Sequence, residues 1–159
     1  MMFIDKRDQL RNEKIGRKPI EAMLKSSAKR VAVPMPALGE AIHKVREKAK
    51  DRSREVFEEL NRLLDNGIIE VRFVRNANAT FHIAQELSKD TMDDRDSTSP
   101  MDALIAASAA TDPQCKLFIT NDSRLLLDGN VSEILNNWRS ENRLTGLQIN
   151  DDSKIIKQN

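Results

Sequence analysis

Four acidic residues in this chain stand where a carboxylate could take part in chemistry. Glu40 lies in the segment PALGEAI, Asp102 lies in SPMDALIAASAA, and Asp122 ends the run KLFITND. Asp5 follows the apolar triplet MFI at the start of the chain. Oxygen ligands of this kind are preferred by Mg²⁺ and Mn²⁺, and a metal held by them can polarise a phosphodiester and activate a bound water. Carboxylates in a cluster repel one another, so a cation would also stabilise them together.

Three of these acids also have a purely structural explanation. Asp102 stands three residues after Ser99, as in a capping box, and the helix dipole favours an acid in the first turn. Asp122 could cap the short segment SRLLL that follows it. Glu40 could pair with Lys44, one helical turn later. Taken alone, none of the three positions decides between structure and chemistry.

The surroundings of the acidic residues favour a role in catalysis or metal binding over a purely structural role. In a helix, Asp102 shares a face with apolar residues three and four positions away, and a charged group there is costly unless a cation or a donor compensates it. Glu40 also has mostly apolar neighbours. Asp122 follows the carboxyl end of a strand, which is where open α/β sheets bind ligands. Thr120 and Asn121 could position a water or a phosphate at the same place.

Alternating helices and short apolar strands would position these residues. Residues 30–34, 68–74 and 116–120 are rich in β-branched or apolar residues and predict strands, and 147–150 predicts an edge strand. Apolar periodicity predicts helices over 17–29, 53–66, 77–89 and 131–142. Two further helices are predicted to begin at Pro36 and at Ser99-Pro100. In the helix over 77–89, we expect Phe81, Ala84 and Leu87 to point inward. Strands separated by helices predict an α/β fold, a three-layer α/β/α sandwich with a central parallel sheet.

Composition sets the wider limits. The 159 residues fit one domain, 1–159, and no linker or repeat divides them. The 26 basic and 25 acidic residues nearly cancel, which neither suggests nor excludes a nucleic-acid partner. No apolar run is long enough for a membrane span or a secretion signal, so we expect a cytoplasmic protein. Cys115 is the sole cysteine, and no zinc spacing, glycine-rich phosphate loop or GxSxG elbow is present.

Three segments of the chain resemble a known family. VPMPALGEAI, SPMDALIAASAA and LFITND are similar to the second, third and fourth acidic motifs of PIN-domain ribonucleases, and they occur in the family's order over residues 30–126. The resemblance implies a PIN-like parallel sheet between helices, a Mg²⁺ or Mn²⁺ site and cleavage of single-stranded RNA. It also implies that Glu40, Asp102 and Asp122 are catalytic metal ligands, with Thr120 and Asn121 supporting Asp122 at the substrate.

The same resemblance suggests partners. Many members of the family are similar to VapC-type toxins, which an antitoxin protein holds inactive and which often form homodimers. An RNA substrate, an antitoxin and a second copy of the chain are therefore the expected partners, and no membrane is expected.

The chain departs from the family at the first motif, which is normally a strand followed by Asp, then Ser or Thr, then Asn. Here Asp5 is followed by Lys6 and Arg7. Two explanations stay open. Asp5 is a divergent first acid and a fourth catalytic metal ligand, or the sequence begins after the true first strand, so that the N-terminal strand is incomplete. In the second case activity is in doubt.

Three hypotheses of function follow. The first is a metal-dependent endoribonuclease, the toxin of a toxin–antitoxin pair. The second is a catalytically impaired PIN-like module that binds RNA or a protein, although 4% aromatic residues and the absence of tyrosine limit base stacking. The third is another acidic α/β metalloenzyme such as a phosphatase, against which the absence of a recognisable nucleophile argues.

Overall fold

The computed structural model describes residues 2–4, 31–48, 52–89, 98–120 and 122–151. This part of the chain contains five strands, β1 (Met2–Ile4), β2 (Val31–Pro34), β3 (Ile69–Arg72), β4 (Leu117–Ile119) and β5 (Gln148–Asn150). It contains six helices, α1 (Met35–Lys48), α2 (Ser53–Asp65), α3 (Ala77–Lys89), α4 (Pro100–Thr111), α5 (Ser123–Leu127) and α6 (Gly129–Glu141). The helix predicted over 17–29 and the candidate residues Asp5 and Asn121 lie outside the described residues.

The five strands form one parallel sheet in the order β3-β2-β1-β4-β5. β1 is central, since Met2 pairs with Val31 of β2 and Ile4 pairs with Ile119 of β4. The chain adds β2 and β3 on one side of β1, and then β4 and β5 on the other. The direction of winding therefore reverses between β1 and β4, and the carboxyl ends of these two strands flank the switch point at which open α/β sheets bind ligands.

Both faces of the sheet are covered. All four residues of β2 are buried, and so are the adjacent Phe118 and Ile119 of β4. Successive side chains of a strand point to opposite faces, so burial of consecutive residues requires a layer on each side. The predicted three-layer α/β/α arrangement is confirmed.

α4 is the most deeply buried helix among the described residues. Its alanines and isoleucine have no exposed surface, as expected for a helix that is apolar on every side. It packs against α1, α3, α6 and β2. Buried hydroxyls of Thr80 and Thr111 lie 2.8 Å apart and form a hydrogen bond that joins α3 to α4. Ser99 caps the helix and Pro100 occupies its first turn, as the sequence predicts.

The turn between α2 and β3 is specified locally. Gly67 has a φ of 65°, in the left-handed region that favours glycine. Its N–H donates to the carbonyl of Leu64 at 2.9 Å, and the N–H of Ile68 donates to the carbonyl of Leu63 at 3.0 Å. These two bonds make a Schellman motif that ends α2 and turns the chain into β3. The helix predicted over 53–66 is confirmed, with Asn66 as its C-cap.

The predicted inward position of Phe81 is wrong. Phe81 is 57% exposed, and the buried face of α3 consists of Thr80, Ile83, Ala84 and Leu87. The buried face of α3 starts at Thr80, one residue before Phe81, because the Thr80 hydroxyl is bonded to Thr111 in the interior. One residue corresponds to about 100° around a helix, which turns Phe81 outward.

Arg139 of α6 is fully buried and joins several segments. It donates hydrogen bonds to the carbonyls of Ala110 and Cys115, each at 2.8 Å, and of Asp112 at 3.1 Å. Its Nε donates to the carbonyl of Thr145. Desolvation lowers the pKa of Arg139 from its ordinary value. The guanidinium nevertheless lies where a cation is favourable, at the carboxyl end of α4.

We expect Arg139→Met to lower the free energy of unfolding by about 3 kcal/mol or more, because each buried carbonyl left without a donor costs about 1–3 kcal/mol. Methionine retains much of the side-chain length, so the change mainly removes hydrogen bonds. Urea denaturation measures the loss. The control is Arg54→Met, since the Arg54 side chain is 90% exposed and its pair with Glu58 is worth less than about 1 kcal/mol. Equal losses in the two variants would contradict the role of Arg139.

Candidate functional site

Asp102 lies in the first turn of α4 with no exposed surface. The hydroxyl of Ser99 donates to its Oδ2 at 2.6 Å, and the backbone N–H of Asp102 donates back to the Ser99 hydroxyl at 3.3 Å. Asp102 therefore belongs to the cap of α4, and the cap in turn fixes the direction of its carboxylate.

Asp122 is the N-cap of α5, just beyond the carboxyl end of β4. Its Oδ1 accepts from the backbone N–H of Arg124 at 2.9 Å. Its own N–H donates to the hydroxyl of Thr120 at 3.1 Å, and Thr120 is fully buried. Asp122 is thus held from both sides in sequence, at the switch point of the sheet.

Arg124 brings the two aspartates together. Its Nη2 lies 2.9 Å from Oδ2 of Asp122, and its Nε donates to Oδ1 of Asp122 at 3.1 Å, which gives a two-point contact. The same Nη2 lies 3.6 Å from Oδ2 of Asp102. The side chains of Asp102, Asp122 and Arg124 are 0%, 7% and 37% exposed. Two buried carboxylates therefore face one guanidinium that reaches solvent.

Arg124 was not among the residues predicted for the site. The acidic motifs carry no information about cations, and a basic residue in a short helix usually points to solvent. The available signal was its place two residues after Asp122, within reach of the carboxylate it follows.

Glu40 lies on α1, which packs against α4. Its Oε1 is 2.9 Å from Nζ of Lys44, and the Glu40 side chain is 16% exposed. The described residues thus show Asp102 and Asp122 on one shared cation and Glu40 in a pair with Lys44. Within the described ranges no group of three His, Cys, Asp or Glu residues is arranged to hold a metal ion. The four-acid metal site stays a prediction, since Asp5 lies outside these ranges.

The donor set at Asp102 and Asp122 nevertheless suits a hard divalent cation. Both side chains offer carboxylate oxygens, both are largely removed from water, and together they already bind a positive charge. Metal binding by histidine has no support in the described part of the chain. His43 is exposed and lies 3.3 Å from Glu47, and His82 is exposed beside Phe81.

Cys115 is buried, and its thiol lies 3.6 Å from the carbonyl of Leu117. Desolvation raises the pKa of Cys115 to about 12. The thiolate, which is the reactive form, is therefore scarce at neutral pH. Cys115 is therefore a core residue whose thiol is poorly suited to act as a nucleophile.

Comparisons with known proteins show the fold. No family model and no curated protein matches the sequence. Among solved structures, the crystal structure of DNA-bound VapBC from Salmonella typhimurium is similar, with a TM-score of 0.58 over 95% of this chain and 97% of that chain. The chain has a VapC-type PIN fold. At 20% identity the likeness establishes the fold alone, and it confirms the PIN-like fold that the three acidic segments predicted. Within the described residues of this PIN fold, no helix is long and apolar enough to cross a membrane.

Ser99→Ala should lower the free energy of unfolding by about 1–3 kcal/mol, because it removes both a helix cap and a donor to a buried carboxylate. Thermal or urea denaturation tests this. Ser140→Ala, at an exposed position of α6, is the matched control and should change stability little. A Ser99→Ala protein as stable as the control would show that the hydroxyl does not support Asp102.

The Cys115 thiol should resist a disulfide reagent such as DTNB at about pH 8 in the native protein, since its pKa of about 12 keeps it protonated. After unfolding in concentrated guanidinium chloride, the ordinary thiol pKa returns and one thiol per chain should react. Release of the coloured thiolate is followed by absorbance. Rapid reaction of the native protein would contradict the burial of this side chain.

Proposed function

We propose that this protein is a metal-dependent endoribonuclease that cleaves single-stranded RNA and acts as the toxin of a toxin–antitoxin pair. The main support is the convergence of Asp102 and Asp122 on one cation at the switch point of a VapC-type PIN fold. Neither aspartate needs the other for its local role, since Asp102 bonds to Ser99 at the start of α4 and Asp122 caps α5.

Asp102 and Asp122 would hold a Mg²⁺ or Mn²⁺ ion, with Glu40 and Asp5 as the further catalytic ligands. Such an ion, when bound, polarises the scissile phosphodiester and lowers the pKa of a water for attack. The chain supplies the arrangement around it. Ser99 and Thr120 fix the positions of the two aspartates. Asn121, which lies outside the described residues, would help to bind substrate beside Asp122.

The partners are proposals of the same kind. The VapBC assembly is the support for an antitoxin that binds this chain, and the family resemblance is the support for a homodimer. Such a toxin would act in the cytoplasm, where its RNA substrate and its antitoxin are made.

One observation favours a second candidate, a catalytically impaired PIN-like module that binds RNA or a protein. Each described candidate acid already has a basic neighbour within 4.0 Å, since Arg124 faces Asp102 and Asp122, and Lys44 faces Glu40. A site neutralised by its own chain could bind a partner without cutting RNA.

Asp102→Asn should abolish cleavage of single-stranded RNA in the presence of Mn²⁺ or Mg²⁺, because it removes a charged ligand while leaving the side-chain shape unchanged. A fluorophore-quencher RNA measures the rate. A loss of at least about 100-fold is expected if the change removes about 2.7 kcal/mol of transition-state stabilisation. Asp65→Asn, at an exposed position near the end of α2, is the matched control and should cleave like the unchanged protein.

Circular dichroism establishes that both variants are folded before rates are compared. Cleavage that survives both Asp102→Asn and a chelator would reject the metal-dependent nuclease. RNA binding without cleavage under any metal condition would favour the impaired module. Hydrolysis of a small phosphomonoester, but not of RNA, would favour a phosphatase instead.

A further inference from the structure

Arg124 contacts the two aspartates that would hold a metal ion at this site. Its guanidinium faces Oδ2 of Asp102 and both carboxylate oxygens of Asp122. A divalent cation bound between these aspartates through the same oxygens would compete with the guanidinium. The guanidinium and the ion cannot both occupy this space, and their charges repel each other at such short range.

The side chain of Arg124 can leave without a change in the backbone. The carbonyl of Arg124 accepts from the N–H of Asp128 at 3.2 Å, and the N–H of Arg124 is held by Asp122, so the main chain is fixed within α5. The side chain is 37% exposed, whereas those of its two partners are nearly or fully buried. Arginine has a long, flexible stem that keeps its charged end near water. Rotation of the side chain into solvent would therefore open the site without moving the buried aspartates.

The metal-free site needs such a cation. Two carboxylates directed at the same point repel each other, and Asp102 has no exposed surface through which water could screen its charge. Removal of the guanidinium with nothing in its place would leave this repulsion less well compensated. A divalent cation would compensate it more strongly than one guanidinium does.

We propose that Arg124 is an exchangeable internal cation. In the metal-free protein its guanidinium neutralises Asp102 and Asp122, and a divalent metal binds by displacing it into solvent. This inference rests on the proposed function only in taking a divalent metal as the ligand of this site. It adds that metal occupancy, and hence activity, is set by competition between the ion and a residue of the same chain.

The test is the affinity for Mn²⁺, measured by the electron paramagnetic resonance signal of the free ion at about pH 8. Arg124→Ala removes the competitor and should bind Mn²⁺ about 10-fold tighter than the unchanged protein, which corresponds to about 1.4 kcal/mol. Arg124→Lys keeps a charge but loses the two-point contact and should lie between them. Arg62→Ala is the matched control, because Arg62 is an exposed arginine paired with Glu59, and it should leave the affinity unchanged.

A second experiment replaces the lost guanidinium group of Arg124 with free guanidinium ion. In Arg124→Ala, free guanidinium ion can enter the space that the side chain leaves. Guanidinium chloride at about 50 mM should then weaken Mn²⁺ binding to this variant more than sodium chloride does at equal ionic strength, beyond ordinary screening. Arg62→Ala should respond equally to the two salts. Thermal denaturation gives a third readout, since metal-free Arg124→Ala should melt below the unchanged protein and gain more from Mn²⁺.

The outcomes separate this inference from the proposed function. Equal or weaker Mn²⁺ binding by Arg124→Ala, in a protein that cleaves RNA, would overturn the exchange and leave the nuclease standing. Tighter binding without RNA cleavage would support the exchange and reject the nuclease. Absence of Mn²⁺ binding in both the unchanged protein and Arg124→Ala would overturn the exchange together with the metal-dependent function. The variant Asp102→Asn tests where Mn²⁺ binds, since it should weaken Mn²⁺ binding if the ion lies at this site.

Discussion

The burial of α4 is the constraint on which the rest of the structure depends. This helix is apolar on nearly all sides, so it is stable only when other elements surround it, and α1, α3, α6 and β2 do so. The same burial carries Asp102 into the interior at the amino end of the helix. A fold that encloses this helix must therefore also provide compensation for a carboxylate, and Ser99 and Arg124 provide it.

The two ends of α4 are compensated by opposite charges. Asp102 lies at the amino end, where the helix dipole favours an anion, and Arg139 bonds to carbonyls at the carboxyl end, where the dipole favours a cation. The two buried groups have different consequences. Arg139 is fully enclosed and its partners are fixed carbonyls, so it can only hold segments together. Asp102 faces a cation with one side in water, so its partner can be exchanged.

Much of the fold could be predicted because local signals agree with the tertiary structure. Gly67 ends α2, Ser99-Pro100 begins α4, and the apolar run before Thr120 forms a buried strand. Phe81 shows the limit of such signals, because a helix stripe identified by apolar residues alone misses a buried threonine whose hydroxyl is satisfied by a distant partner. Arg139 is a second case. It continues the stripe of Val131 and Leu135 at intervals of four, yet nothing local shows that carbonyls of other segments would receive it.

The candidate site likewise contains residues that the sequence predicts and one residue that only the tertiary structure reveals. Asp102 and Asp122 could be found from the sequence, since each lies at the start of a helix or after the end of a strand. Their common partner could not, because Arg124 meets Asp102 only after β4 is placed beside β1 and α4 is packed against the sheet. The placement of Glu40 beside Lys44 followed from a spacing of four residues, whereas its relation to the two aspartates depends on how α1 lies against α4.

The central position of β1 bears on the departure at the first motif. Residues Met2–Ile4 lie in the middle of the sheet and pair with both β2 and β4. The residue that follows this strand in sequence is Asp5, and Lys6 and Arg7 come next. A basic residue thus stands within four positions of Asp5, of Glu40 and of Asp122, and in the last two cases the pair is formed. The basic residues that make the first motif look unlike the family therefore repeat an arrangement found at two other candidate acids of this chain. In the proposed metal site, such an arrangement would help clustered carboxylates to remain stable before a metal binds.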